Sequence, residues 1–268
     1  MTESGKAMRF AALISIICGL TAFSSLGAAH GPDAKMPAPQ SPKAVRVSTT
    51  PKAVVELFTS QGCSSCPAAD AILGQLAGRD DLIAISLSVD YWDYLGWKDT
   101  LAQPKFSYRQ KAYAKVLGDG MVYTPQMVVN GRAHVNGSDA VKIERAIDRT
   151  ANAFVASRVP VRMSVADGRL LVEVGGEPQS VARESTVWLA VLSKTVEVPI
   201  TRGENKGKTL IYTNVVRDLI PIGMWHGEPF AVQIERDSFM HGHADRCAVL
   251  LQQGRGGPIV GAALLSQF

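Results

Sequence analysis

The residues of this 268-residue chain best suited to chemistry are Cys63 and Cys66, separated by Ser64 and Ser65 and followed by Pro67. They come after a β-rich run at residues 53–59 (AVVELFT) and a Ser60-Gln61-Gly62 turn, and they open a stretch with Ile72, Leu73 and Leu76 at helical spacing. Cysteines three apart at a helix start lie on one side of the first turn, where their sulfurs can close a small disulfide. The helix N-terminus stabilises a thiolate on Cys63 and makes it the nucleophile, and Cys66 resolves the mixed disulfide. Pro67 fits a first turn because no N–H donor is needed there. The same pair serves two other chemistries. One is a structural disulfide, although a short ring gives little entropic stabilisation. The other is metal binding, for which a single C-x-x-C supplies two ligands where zinc takes four.

Two further segments carry reactive or recognition residues. Residues 90–99 (DYWDYLGWKD) hold four aromatics, Tyr91, Trp92, Tyr94 and Trp97, within seven positions. A segment leaving the C-terminal end of a strand in an open α/β sheet lines the active face. Tyr91 and Trp92 are therefore candidates to contact a partner peptide, core packing being the alternative. Asp90 reads as a helix cap or as a buried acid near the thiols. Residues 241–247 place His241, His243 and Cys247 next to Met240, a set that suits copper or another soft metal if the stretch is extended. A loop with a buried or auxiliary Cys247 explains it equally well. His134 and His226 are isolated. There is no nucleophile elbow, phosphate-cradling loop or dinucleotide fingerprint, which sets aside hydrolase and nucleotide-binding readings.

The elements that must position these residues alternate. Strands are expected at 53–59, 82–89, 127–130 and 133–135, and helices at 63–77, 101–117 and 140–156, the last capped by Ser138 or Asp139. Asn130-Gly131 is a hairpin turn. The order β-α-β-α-β-β-α argues for an α/β layered domain over residues 53–157. After residue 157 the pattern becomes short strands (159–165, 170–174, 185–192, 195–200, 208–216, 230–236, 248–252 and 259–265). These predict an all-β sandwich-like domain over residues 158–268.

Strand, C-x-x-C, helix and then Thr124-Pro125 before a hairpin strand resemble the thioredoxin fold. The runs VELFTSQGCSSCP (55–67) and VDYWDY (89–94), with Gly203-Glu204-Asn205 and residues 213–216 (TNVV), resemble a bacterial family of secreted thioredoxin-like proteins described only as a domain of unknown function. The resemblance spans residues 53–268. It implies a thioredoxin-like fold, a cis Pro125, and a Thr124 backbone that holds a substrate segment beside catalytic Cys63 and Cys66. It departs from thioredoxin at two points. Gly62 stands where thioredoxin has Trp. Thioredoxin's buried relay Asp falls on Leu57 by ungapped count, with Glu56 one residue away as the available proton relay.

The N-terminus reads as a secretory leader. A basic start with Lys6 and Arg9, an apolar run of 14 residues (10–23) and small residues up to Ala29 predict a signal peptide over 1–29. That run spans about 21 Å as a helix, short of a membrane core of about 30 Å, so no membrane span is expected after cleavage. Residues 30–52 are rich in Pro, Ser and Thr and read as a flexible linker. The formal charge of +4, without a Lys/Arg-rich block, speaks against nucleic acid as partner. The sequence thus predicts an exported thiol–disulfide oxidoreductase of the bacterial periplasm with no organic cofactor. Its substrates are thiol or disulfide proteins, and a further thiol protein gives or takes electrons. A periplasmic copper or soft-metal module and a non-catalytic binding protein with a structural disulfide are the alternatives.

Overall fold

Strands β1 (Ala53–Thr59) and β2 (Leu82–Ser88) are buried on both faces, which is why they read as near-continuous apolar runs. They pair in parallel from Ala53↔Leu82 to Thr59↔Ser88, and α1 (Cys66–Ala77) makes the crossover. Alternation along the strands divides the packing. Val55, Leu57 and Ala84 meet Ala69, Leu73 and Leu76 of α1. Phe58, Ile85 and Leu87 point the other way, onto Phe106 and Tyr113 of α2 (Pro104–Leu117). Strand β3 (Gln126–Val129) runs antiparallel to β1 and turns through Asn130 and Gly131, both at positive φ, into β4 (Ala133–Asn136). Helix α3 (Ala140–Ala156) is capped by Asp139, which accepts from Lys142 N at 3.0 Å, and its Ile143, Ala146 and Ile147 join the α1 side.

The structure is a computed structural model and describes residues 51–176 and 184–266. The expected leader and all but the last two residues of the expected linker lie outside the described residues. The remaining strands are β5 (Val161–Ala166), β6 (Arg169–Val174), β7 (Ser185–Pro199), β8 (Thr209–Trp225), β9 (Phe230–Glu235), β10 (Arg246–Gln253) and β11 (Ile259–Leu265). A three-stranded sheet, β5-β6-β9, covers one face of the outer strands of a larger sheet. Met163, Leu170 and Val172 pack there against Leu189, Val249 and Val260.

The expected boundary at 157/158 needs correction. The larger sheet has eight strands in the order β11-β10-β7-β8-β2-β1-β3-β4, so strands from both halves share it, and the described residues form one compact unit. The physical reason is strand length. The two strands expected at 185–192 and 195–200 are one, and β8 continues past residue 216 to Trp225. Its early part lies against β2, pairing Ser86 with Val215, and covers an edge that would otherwise expose unpaired backbone groups. Asn214 sits at φ 47 in this stretch, and its side-chain amide donates to Ala84 O at 2.9 Å.

Candidate functional site

Cys63 and Cys66 form a disulfide with a Cα–Cα distance of 5.4 Å, placed between the C-terminal end of β1 and the N-terminus of α1. Cys66 N donates to Cys63 O, and Cys63 N to Ser60 O, both at 3.2 Å. Both cysteines are nearly covered, at 3% and 0% exposure, while Ser64 and Ser65 are exposed. Ser65 Oγ lies 3.5 Å from Cys63 Sγ and is the only one of the two able to donate while the disulfide is closed.

Three loops distant in sequence hold this turn. In the first, Asp99 accepts from Gln61 N at 2.8 Å and from Leu101 N and Ala102 N at 2.8 and 3.0 Å. Gln61 Oε1 accepts from Trp97 Nε1 at 2.8 Å. The second loop brings Asn205, fully buried, whose amide donates to Gln61 O and Cys63 O at 3.0 Å each. Gly203, at φ +74, lets that loop settle against Trp97, 3.3 Å from where a Cβ would stand. The third is the turn after β4, where Ser138 Oγ donates to Ser65 O at 3.3 Å and Gly137 N to Pro125 O at 3.0 Å.

The Thr124-Pro125 bond is cis. Trp92 Nε1 donates to Thr124 Oγ1 at 2.7 Å, and the Cβ of Trp92 stands 3.2 Å from where a side chain on Gly62 would begin. The missing side chain before Cys63 thus makes room for the backbone and Cβ of Trp92 on the neighbouring loop. Tyr91 is half-buried; its hydroxyl donates to Gln110 Oε1 at 3.1 Å, and burial holds the phenol at about 12, so it remains a donor. Gln110 in turn donates to Tyr123 O and Gln126 Oε1, fixing the approach to Pro125.

Two candidates for a proton relay lie elsewhere. Glu56, 1% exposed, points to the α2 side of the sheet, where it accepts from Arg109 Nε and Nη2 at 2.7 and 3.1 Å and from the Tyr113 hydroxyl. Asp90 accepts from Ser107 Oγ, linking the end of β2 to α2. Residue 56 has the opposite strand parity to Leu57, which faces α1. The alternation rule applied to residues 53–59 would have shown this.

The acid near the cysteine helix is Asp70, which the sequence reading missed. It lies one helical turn after Cys66 on the same buried face of α1, at 5% exposure. Neither of its carboxylate oxygens has a hydrogen-bond partner, and the hydroxyls of Thr59, Ser86, Ser88 and Tyr212 are likewise buried and unpartnered. Burial pushes Asp70 up to about 8; the nearby Thr59 hydroxyl opposes the shift and the charge of Asp99 adds to it. Burial also raises Asp99 to about 6, against three backbone N–H donors that favour its charged form. Paired acids displaced this far from their ordinary range cluster at functional sites. The one signal in sequence was an acid at helical spacing from Cys66 on an otherwise apolar stripe.

The alternative soft-metal set does not assemble among the described residues. His241 and His243 are exposed on a turn, His241 Nε2 lying 3.1 Å from Ser238 O. Cys247 is buried in β10 among Val249 and Leu189, and burial pushes its thiol well up. Strand β10 begins at Arg246, so the cysteine enters the core while the histidines stay outside. Among the described residues no three His, Cys, Asp or Glu side chains stand close enough to hold a metal.

Residues 54–252 match the family model described as "Protein of unknown function (DUF1223)". A crystal structure of an Agrobacterium tumefaciens protein from a structural genomics programme is 36% identical, with a TM-score of 0.71, over 81% of this chain and 95% of that one. HBP35 of Porphyromonas gingivalis is 12% identical with a TM-score of 0.57, over 83% of this chain and 77% of that one, a likeness of fold alone. No functionally curated protein matches the chain.

Proposed function

The chain belongs to the DUF1223 family, and we propose that it is an exported thiol–disulfide oxidoreductase with a thioredoxin-like core. The observation that carries this reading is the Cys63–Cys66 disulfide at the start of α1, with the buried Asp70 one helical turn behind it and Trp92 linking Gly62 to Thr124. The succession β1-α1-β2-α2-β3-β4-α3, with α1 and α3 on one face of the sheet and α2 on the other, supports the thioredoxin-like reading. Export rests on the leader of residues 1–29 and agrees with a disulfide, which persists in oxidising compartments such as the bacterial periplasm.

In the reducing direction the Cys63 thiolate attacks one sulfur of a partner disulfide. A Cys63–partner disulfide forms, the partner's S–S bond breaks, and one partner sulfur leaves as thiolate and takes a proton. Cys66 then loses its proton to Asp70 in its carboxylate form and attacks Cys63 Sγ. The second partner thiol is released and the Cys63–Cys66 disulfide closes. Two electrons pass from the dithiol to the partner; a further thiol protein restores the dithiol. The oxidising direction is the reverse. The N-terminus of α1 and the Ser65 hydroxyl stabilise the Cys63 thiolate. Thr124 offers backbone to an extended partner segment beside Cys63.

Near-complete burial of both cysteines favours a second reading, a structural disulfide in a binding protein. Cys66→Ser separates the two. The oxidoreductase reading expects this variant to accumulate a Cys63-linked mixed disulfide with a disulfide-containing peptide, and Cys63→Ser to accumulate none. A Cys63 thiol that stays unreactive in the Cys66→Ser variant favours the structural disulfide.

A further inference from the structure

On the α2 side of the molecule, away from the cysteine helix, α2 and strands β7, β8 and β10 enclose a groove of about 580 Å3. That volume lies within the roughly 300–1,000 Å3 of small-molecule sites. Its floor is apolar and aromatic. Trp188 and Leu219 line it, and the buried Arg109 guanidinium lies over the Trp188 ring at 5.9 Å. The positive charge of Arg109 is already matched below by Glu56, so the floor carries no free charge.

The rim is of one sign. Lys105, Lys111, Lys115 and Arg255 surround the opening, and no acidic side chain lines it. Lys105 is paired with Asp218. Lys111, Lys115 and Arg255 make no ion pair among the described residues; Lys111 lies over the Tyr108 ring at 5.8 Å. Lys111 and Lys115 are one helical turn apart on α2, a spacing at which like charges repel. Three exposed, unmatched cations around an apolar floor form the complement of a molecule with an anionic head and an apolar body. The chain's own preceding segment has the wrong sign for this rim, since residues 1–50 hold five Lys and Arg against two Asp and Glu.

We propose that this groove binds a small amphipathic carboxylate, its head held by Lys111, Lys115 and Arg255 and its apolar body laid on Trp188 and Leu219. The site is independent of the thiol chemistry, because none of these residues touches the cysteine turn.

The test is calorimetric titration of the intact, oxidised protein with dodecanoate below its micellar range. Acetate serves as the head alone and dodecyltrimethylammonium as a tail of opposite charge. Saturable one-to-one binding of dodecanoate is expected, with none of acetate and no competition from the cation. The double variant Lys111→Glu/Lys115→Glu should weaken binding at least tenfold, and Arg255→Glu alone should weaken it measurably. Lys194→Glu, an exposed change on β7, should leave it unaltered. All four positions are exposed, and circular dichroism verifies that each variant is folded. Absence of saturable binding, equal binding of the cationic tail, or equal affinity in the double variant overturns the proposal.

Discussion

Trp92 Nε1 donates a 2.7 Å hydrogen bond to Thr124 Oγ1, and this contact joins the loop after β2 to the residue before the cis proline. The same Trp92 stands against Gly62, the neighbour of Cys63. Trp92 thus touches, through its indole on one side and its Cβ on the other, the two segments between which a partner chain would lie. Trp92→Phe keeps a ring but removes the donor. It should lower stability by about 1 kcal/mol. It should also slow exchange with a disulfide peptide more than exchange with glutathione, which needs no extended binding segment. Equal slowing of both substrates in stopped-flow measurements would contradict a role in holding the partner.

Asp70 gives a pH dependence of known sign. Its native value of about 8 lies above the ordinary carboxylate value of 3.8 because burial disfavours the charge. Between those values the native state binds more protons than the unfolded state. Stability is therefore greatest at the acid end, falls as pH rises through the window, and levels off above about 8, with a slope approaching about 1.4 kcal/mol per pH unit. Asp99 adds a fall of the same sign that ends near its value of about 6. Asp70→Asn should flatten the melting temperature between pH 6 and 8 and slow the Cys66-dependent resolving step. A wild-type melting temperature that rises over this range would rule out the assignment.

Glu56 belongs to the α2 face, and its removal should separate stability from chemistry. Glu56→Gln leaves Arg109 buried with its charge unmatched, an effect of about 3–5 kcal/mol where buried pairs are broken. Chemical denaturation should show a loss of that order, while the reduction potential of the cysteine pair stays unchanged. A shifted potential with unaltered stability would return Glu56 to the relay.

Asn205→Ala removes the amide that binds Gln61 O and Cys63 O together. Two carbonyls are left without that donor, which should lower the unfolding free energy by about 1–3 kcal/mol. It should also loosen the turn that carries Cys63, so the disulfide is reduced faster by dithiothreitol. Unchanged reduction kinetics would show that the loop of residues 201–208 supports the fold without touching the chemistry.

Local patterns in the sequence were legible where each element's environment was set nearby. The order of strands and helices through Ala156, the Asn130-Gly131 hairpin, the Asp139 cap and the Cys63–Cys66 pair all follow from spacing and turn chemistry. What escaped depended on long-range placement. Nothing near residue 205 indicates that its amide reaches back to Cys63, 142 positions away. Gly62 reads as a departure because the residue packed against it, through its Cβ and carbonyl oxygen, is Trp92 on another loop. Asp70 is polar among apolar helix positions, and only the folding of α1 onto Thr59 and Ser88 shows how deeply it lies. The domain boundary was misread because strand pairing across Ser86↔Val215 leaves no local signature. The soft-metal alternative at residues 241–247 depends on an extended stretch, and nearness in sequence does not supply it: the histidines lie on a turn and the start of β10 sends Cys247 inward.

The central claim is that Cys63 and Cys66 exchange electrons with partner thiols, and the reduction potential of the pair tests it most directly. The purified chain is equilibrated against glutathione buffers and the free thiols are trapped and counted. A value between about −120 and −270 mV, the range of exchange-active proteins, is expected. A value below about −300 mV, where structural disulfides lie, would contradict the account.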